Sequence, residues 1–120
     1  MQIQDIGVIG ESQALEYLLE RGYSLVERNF QRIDGEIDLI MKDADTYVFV
    51  EVRTRIQDKD VKPEDSIDWA KLKQLEQIVE IYIYTNEIYD LCRIDAVCIE
   101  LSKRMNLLRL DHYKNISGDG

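Results

Sequence analysis

The chain has 120 residues, 45% of them hydrophobic and 32% charged, and its 24 acidic and 15 basic side chains give a formal net charge of −9. This length leaves no room for a second core, so we expect one domain over residues 1–116 and a loose tail over 117–120. No apolar run approaches the about 20 residues that span a bilayer, and two cysteines with one histidine are too few ligands for a zinc finger. The acidic balance argues against a tight nucleic-acid binder, because such proteins neutralise phosphates with basic side chains.

The first predicted element is an amphipathic helix over residues 6–21 that ends at Gly22. Its apolar stripe includes Ala14 and Leu18, and Glu11 falls on the same stripe at helical spacing. A carboxylate at a core-facing position needs a partner, so Glu11 is a candidate third acid of a site. The alternative is that Glu11 lies in the first turn and only interacts favourably with the helix dipole.

Three β-runs follow at residues 24–32, 36–42 and 46–54, and a short polar segment between the last two predicts a hairpin. Alternate side chains of a strand share a face. The second run then has two faces, with Glu36, Asp38 and Ile40 on one and Ile37 and Leu39 on the other. In the third run, Val48, Val50 and Val52 oppose a face formed by Tyr47, Phe49, Glu51 and Arg53. Pairing around the hairpin sets Asp38 beside Glu51.

Asp38 and Glu51 each lie inside a near-continuous apolar run, which is typical of strands covered on both faces. A carboxylate there is costly unless it is paired, hydrogen-bonded or bound to a metal ion. Two carboxylates with Arg53 close by would suit Mg²⁺ or Mn²⁺ and a phosphate group. The alternative is a solvated sheet face with cross-strand ion pairs. Placement favours the metal site, and Glu36 fits an exposed strand-entry acid better than a ligand.

After a mobile loop over residues 56–63, a second helix is predicted over 64–84, capped by Asp65 or Ser66. The side chains expected to point inward from this helix are Leu72, Leu75, Val79 and Tyr82. Lys71 flanks this stripe. It either turns towards the sheet, where it would add positive charge near the two acids, or extends along the edge of the stripe towards water.

Residues 92–100 and 105–111 predict two further strands, the second of them at an edge of the sheet. Asp95 is expected to pair with Arg93 or with a cation of a neighbouring strand. Cys92 and Cys98 lie six residues apart with the same facing, which argues against a disulfide. Reduced thiols favour a cytoplasmic location.

The order of elements predicts an α/β layer fold with a mixed sheet flanked by helices. The hairpin strands are antiparallel, and the second helix makes a right-handed crossover between a parallel pair.

The chain resembles the YraN-type family of small bacterial proteins (uncharacterised protein family 0102) over residues 7–115. The segments that carry the resemblance are Gly7-x-x-Gly10-Glu11, Tyr17-Leu18, Gly22-Tyr23, Arg28-Asn29-Phe30, Gly35-Glu36-Ile37-Asp38-Leu39-Ile40, Val48-Phe49-Val50-Glu51-Val52-Arg53-Thr54-Arg55, Ser66-Ile67, Lys71, Arg93-Ile94-Asp95-Ala96-Val97 and, more weakly, His112 and Asn115.

This resemblance implies the restriction-endonuclease-like PD-(D/E)XK superfamily and a three-layer core of order α-β-β-β-α-β(-β). It implies Asp38, Glu51 and Glu11 as metal ligands, with Arg53 and Lys71 beside them as catalytic cations. The superfamily usually has acid-x-Lys where this chain has Arg53, and Lys71 could replace the charge of that lysine. An arginine binds phosphate through its planar fork but is a poor general base.

The leading hypothesis is a Mg²⁺- or Mn²⁺-dependent endonuclease that acts on DNA or structured nucleic acid, with DNA preferred to RNA and no membrane partner. A non-catalytic nucleic-acid-binding or assembly module with the same fold is the alternative, and a protein–protein scaffold is a third hypothesis. Whether the chain is an enzyme and whether it forms a homodimer both stay open at this stage.

Overall fold

The computed structural model describes residues 5–61, residue 65 and residues 68–117. The elements follow in the predicted order, with bounds Ile6–Glu20 (α1), Ser24–Arg32 (β1), Gly35–Asp43 (β2), Thr46–Ile56 (β3), Trp69–Thr85 (α2), Leu91–Leu101 (β4) and Leu107–Tyr113 (β5). Every predicted boundary lies within two residues of the observed one except the start of α2. The end of the predicted loop, with Pro63, and all of the predicted tail except its first residue fall outside the described residues.

The strands form one mixed sheet in the order β1-β2-β3-β4-β5. Neighbouring strands are antiparallel except β3 and β4, which are parallel. A parallel pair needs a long crossover connection, and α2 provides it. Helix α1 covers one face of the sheet and α2 covers the other. The result is the predicted α/β arrangement in three layers, with β5 at an edge.

The sheet separates two apolar cores, and the side chains of β3 enter them alternately. Val48 and Val50 pack under α1 with Ala14 and Leu18, whereas Phe49 packs under α2. The α2 side chains that were predicted to point inward all contribute to this second core: Leu72, Leu75, Val79 and Tyr82. Both faces of β3 are covered along its apolar part, whereas residues 51–56 at its polar end are half-buried.

Side-chain alternation breaks in the middle of β2, so the prediction that Ile37 and Leu39 share a face is wrong. Ile37 and Ile40 pack into the core under α2, but Leu39 packs into the core under α1. The break lies at Asn29 of β1 and Asp38 of β2, which are not paired with each other although the residues on either side of them are. Asn29 has a left-handed backbone, with a φ of 53°. Such a residue rotates the strand locally, and Asp38 therefore lies at a point where the paired strands change faces.

Helix α2 begins later than predicted, because Asp68 and not Asp65 or Ser66 is its N-cap. The carboxylate of Asp68 accepts hydrogen bonds from the backbone N–H groups of Ala70 at 3.0 Å and Lys71 at 3.3 Å. These amides have no acceptor within the helix, and the cap satisfies both. Ser66 lies outside the described residues.

Helix α1 lies very close to β3 because Gly10 has no side chain. A Cβ at this position would overlap the side chain of Thr54, far inside van der Waals contact. Glu11 is the next residue of the helix, so this close approach also fixes its distance from the sheet.

No helix in the described part of the chain is long and apolar enough to cross a membrane. Cys92 is exposed and Cys98 is buried, and neither forms a disulfide within that part.

Candidate metal and phosphate site

Strands β2 and β3 separate at one end of their ladder, and two carboxylates lie where they part. Regular pairing ends at Leu39 and Val50, so Asp38 and Glu51 are the next residues along the two strands. In place of a backbone pair, the Val52 N–H donates to Asp38 Oδ2 at 2.7 Å. The structure thus brings together the two acids that the sequence placed side by side.

The two carboxylates both resist ionisation. Burial and, to a lesser extent, the neighbouring charge of Glu51 raise the pKa of Asp38 to about 7. The pKa of Glu51 is also raised, chiefly by burial, although the charge of Arg53 opposes this effect. The positive charge near the pair does not offset this effect, and a divalent cation between the carboxylates would do so.

Two cations face the carboxylate pair. Arg53 Nε lies 3.3 Å from Glu51 Oε1. The geometry of this contact is not that of a hydrogen bond, and Arg53 Nε has no other acceptor among the described residues. Lys71 of α2 lines a small cavity together with Glu51 and Arg53. Arg55, two residues further along β3, instead pairs with Glu100 of β4 at 2.8 Å. Arg53 and Lys71 are therefore placed to meet an anion at the site, and Arg55 is not.

Two clefts open onto the carboxylates. The larger, of about 390 Å³, is lined by Glu11, Arg28 and Asn29 on the side of α1. The smaller, of about 270 Å³, reaches Lys71 and Gln74 on the side of α2. The residues that line both clefts are Glu36, Asp38, Glu51 and Arg53. A bound group can therefore meet the carboxylates from the α1 side while Lys71 approaches from the α2 side.

Glu11 reaches the larger cleft, but β1 engages its carboxylate. Glu11 Oε1 accepts hydrogen bonds from Arg28 Nη2 at 3.2 Å and from Asn29 Nδ2 at 3.1 Å. Glu11 lies beyond the first turn of α1, which contains no acidic residue, so the helix-dipole alternative is wrong. The partner that a core-facing carboxylate needs is supplied by β1.

The donor atoms of the pair are carboxylate oxygens, which hard divalent cations such as Mg²⁺ and Mn²⁺ take as ligands. Asp38 and Glu51 offer carboxylate oxygens, and the smaller hard cations commonly use one or two carboxylates and keep several waters. In the part of the chain that the structure describes, no group of three or more Asp, Glu, His or Cys side chains is arranged to hold an ion. The pair alone would therefore make the protein contacts, unless Glu11 turns towards it.

The family model of the uncharacterised protein family UPF0102 matches residues 10–99. The chain belongs to this family. A UPF0102 protein of Herminiimonas arsenicoxydans is 40% identical over 106 residues, which cover 88% of this chain and 85% of that protein. One from Lawsonia intracellularis is 38% identical over 117 residues, covering 97% and 87%. One from a Janthinobacterium species is 42% identical over 103 residues, covering 86% and 83%. The UPF0102 match includes every candidate site residue: Glu11, Asp38, Glu51, Arg53 and Lys71.

A second polar cluster of this UPF0102 chain surrounds Asp95, which is fully buried. Its carboxylate accepts hydrogen bonds from Arg93 Nε at 3.1 Å and the Asn115 N–H at 2.9 Å, and pairs with His112 Nε2 at 2.8 Å. Burial opposes ionisation, but these partners outweigh it and hold the pKa of Asp95 below its usual range. The prediction that Asp95 pairs with Arg93 or a cation of a neighbouring strand is confirmed.

Sequence analysis assigned no role to Asn29 or Gln74, although Asn29 lines the larger cleft and Gln74 the smaller one. Asn29 could have been found from its type, since asparagine tolerates a left-handed backbone better than most residues. Gln74 donates to the Asp34 carbonyl in the turn between β1 and β2. That contact depends on how α2 crosses the sheet, and no local pattern indicates it.

Proposed function

We propose that this protein is a Mg²⁺- or Mn²⁺-dependent phosphodiesterase of the endonuclease type that acts on DNA or structured nucleic acid. The observation that carries this proposal is the pair of Asp38 and Glu51 in the gap between β2 and β3, open to two clefts and flanked by Arg53 and Lys71. Carboxylates select hard divalent cations, and the flanking cations select phosphate.

Each side chain has a separate task in this proposal. When bound, the divalent ion would polarise a phosphoryl oxygen and lower the pKa of a coordinated water. Asp38 and Glu51 hold the ion, and the Val52 N–H fixes the orientation of Asp38. Arg53 and Lys71 bind the scissile phosphate and stabilise the negative charge that develops there. Arg53 remains charged throughout, so its role is electrostatic and not proton transfer.

The proposal extends to the fold and the setting. The PD-(D/E)XK superfamily is expected to have a mixed sheet between two helices, with acidic residues where two strands part. We propose that the chain belongs to this superfamily. The net charge of −9 makes the metal ion itself an important source of positive charge for a polyanionic substrate. We expect DNA as the preferred substrate and the cytoplasm as the location.

The test is calorimetric titration of Mn²⁺ and Mg²⁺ into the wild type and Asp38→Asn, followed by a nicking assay on supercoiled and branched DNA. We expect saturable binding in the wild type that weakens at least about tenfold in Asp38→Asn, because one of two anionic ligands is lost. Metal-dependent nicking should disappear in the same variant.

Asp45→Asn is the matched control. It removes one carboxylate from an exposed residue of the β2–β3 turn, at the opposite end of the ladder from the site. Equal metal affinity in all three proteins would overturn the assignment of the site. Binding that depends on Asp38 without any nicking would retain the metal site and reject the catalytic proposal.

A non-catalytic nucleic-acid-binding module is the second candidate, and the presence of Arg53 in place of a lysine favours it. Arginine can clamp a phosphate but does not assist deprotonation of water. This candidate predicts salt-sensitive nucleic-acid binding that survives Glu51→Gln and needs no divalent metal. Fluorescence anisotropy with labelled duplex and branched DNA, with and without EDTA, separates the two candidates.

A further inference from the structure

Glu11 lines the larger cleft together with Asp38 and Glu51, and its position depends on β1. It lies near enough to Asp38 for its charge to contribute to the raised pKa of that residue. Both of its observed hydrogen bonds are to β1 residues, Arg28 and Asn29. The three acids therefore share one cleft without forming one ligand set.

Resting on the function proposed above, we propose that Arg28 and Asn29 hold Glu11 away from the metal until a substrate phosphate binds Arg28. Glu11 then turns to the metal and completes its set of carboxylates. In this proposal Arg28 binds the Glu11 carboxylate in the free protein, and it is the first residue of the site to bind the phosphodiester.

Burial and chemistry both permit this exchange. The side chain of Arg28 is 39% exposed, whereas that of Glu11 is 13% exposed. The guanidinium is thus the part of the contact that a ligand in the cleft can reach. Partly exposed ion pairs are weak, and a phosphate offers the guanidinium two oxygens in the geometry that its fork prefers.

The local backbone explains why both donors reach the same oxygen. Arg28 and Asn29 are adjacent residues, which would point to opposite faces in a regular strand. The left-handed Asn29 breaks the alternation, and both side chains turn towards Glu11. The irregularity of β1 therefore creates the contact that holds Glu11.

Coupling between the two ligands follows from this arrangement. If phosphate binding frees Glu11 for the metal, phosphate must strengthen metal binding, and the metal must strengthen phosphate binding by the same factor. Divalent metal would then be held most tightly when nucleic acid is present.

The decisive experiment is calorimetric titration of Mn²⁺ alone into the wild type, Arg28→Gln, Glu11→Gln and the double variant. Arg28→Gln should bind Mn²⁺ about threefold to fivefold more tightly than the wild type, because Glu11 is no longer held. Removal of any nearby positive charge favours the binding of a cation, so Arg32→Gln on the same strand is the control. Its effect on Mn²⁺ affinity should stay below about twofold. In the Glu11→Gln background, the gain from Arg28→Gln should shrink to the size of this control.

Asn29→Gly provides a test without any change of charge. Glycine keeps the left-handed backbone but removes the hydrogen bond from Asn29 Nδ2 to Glu11. We expect Mn²⁺ affinity to rise about twofold, and we expect no rise when Glu11 is already glutamine.

A measurement on the wild type tests the same coupling without relying on the folding of the Arg28 and Asn29 variants. Sodium sulfate supplies a tetrahedral oxyanion, and sodium chloride at equal ionic strength is its control. Sulfate should tighten Mn²⁺ binding in the wild type but not in Glu11→Gln.

The outcomes separate the two proposals. Mn²⁺ binding that is lost in Asp38→Asn but unaffected by Arg28→Gln, Asn29→Gly and sulfate would overturn the holding role and leave the metal site intact. Absence of any Asp38-dependent Mn²⁺ binding would overturn the proposed function, and the holding role with it.

Discussion

At the scale of a single residue, Asp38 is held where its charged form is unfavourable. Burial and the neighbouring Glu51 both raise its pKa, while the hydrogen bond from the Val52 N–H lowers it. Such a residue contributes little to folding and is typical of a functional site. An ionised Asp38 would therefore favour metal binding but lower the stability of the fold.

This conflict has a pH dependence that can be measured. The pKa of Asp38 in the folded protein, about 7, lies above its ordinary value of 3.8. The folded protein then retains a proton that the unfolded chain releases, so stability falls as pH rises between these two values. Asp38→Asn removes this loss and keeps an acceptor for the Val52 N–H. Without metal, we expect the variant to be more stable than the wild type by about 2 kcal/mol at pH 8.

Urea unfolding at several pH values tests this expectation. The difference between Asp38→Asn and the wild type should fall below about 1 kcal/mol at pH 4. A variant that is less stable than the wild type at pH 8 would show that Asp38 is a structural residue.

At the scale of elements, the contact between α1 and β3 decides where Glu11 lies. The helix can approach the strand closely only because Gly10 has no Cβ to meet Thr54. A larger residue would push α1 outwards and carry Glu11 away from Asp38. The packing of one glycine thereby controls the width of the larger cleft.

Gly10→Ala should destabilise the protein by about 2–3 kcal/mol, since the added methyl group has no space and helix or strand must move. Gly7→Ala is the matched control, because among those of residues 5–117 that the structure describes its Cβ would meet only the Asp5 side chain, at 3.1 Å. Better helix propensity should offset this mild contact. Thermal unfolding compares the two variants, and Thr54→Ala should restore part of the stability of Gly10→Ala. Equal unfolding temperatures for the two glycine variants would contradict the close contact.

At the scale of the whole molecule, a buried polar network ties α1 to the last two strands. His112 of β5 links Asp95 of β4, through its Nε2 at 2.8 Å, to the Tyr17 hydroxyl of α1, through its Nδ1 at 3.2 Å. Arg93 extends the network to the Tyr23 hydroxyl at 2.8 Å. Asp95 is thus the centre of a structural cluster, whereas Asp38 belongs to a candidate site.

Asp95→Asn should therefore have the opposite effect to Asp38→Asn. It leaves Arg93 without its buried counter-charge, and we expect a loss of about 3 kcal/mol near neutral pH. Because the folded pKa of Asp95 is lowered, the stabilisation is present above its ordinary pKa and is lost as pH falls through the folded value. The deficit of the variant in urea unfolding should shrink in acid. A neutral effect at pH 7 would mean that the network adds no stability.

Much of the fold follows from patterns that the sequence displays directly. The apolar stripe of residues 6–21 and the three β-runs predict their elements, because periodicities of 3.6 and 2 reflect which side chains must be buried. The hairpin between the second and third runs sets Asp38 beside Glu51, since a short loop fixes the register of the strands it joins. The start of α2 was misplaced because several acidic residues in that region could serve as caps, and only the folded chain selects Asp68.

The sequence by itself determined the order of elements, the family and the identity of the two central acids. Only the tertiary structure decided that β1 and β2 change faces at Asn29 and Asp38, and that Arg28 and Asn29 engage Glu11. The physical reason is that periodicity records burial along one element. A left-handed residue within a strand, and hydrogen bonds between residues 17 or 18 positions apart, depend on how separate elements pack.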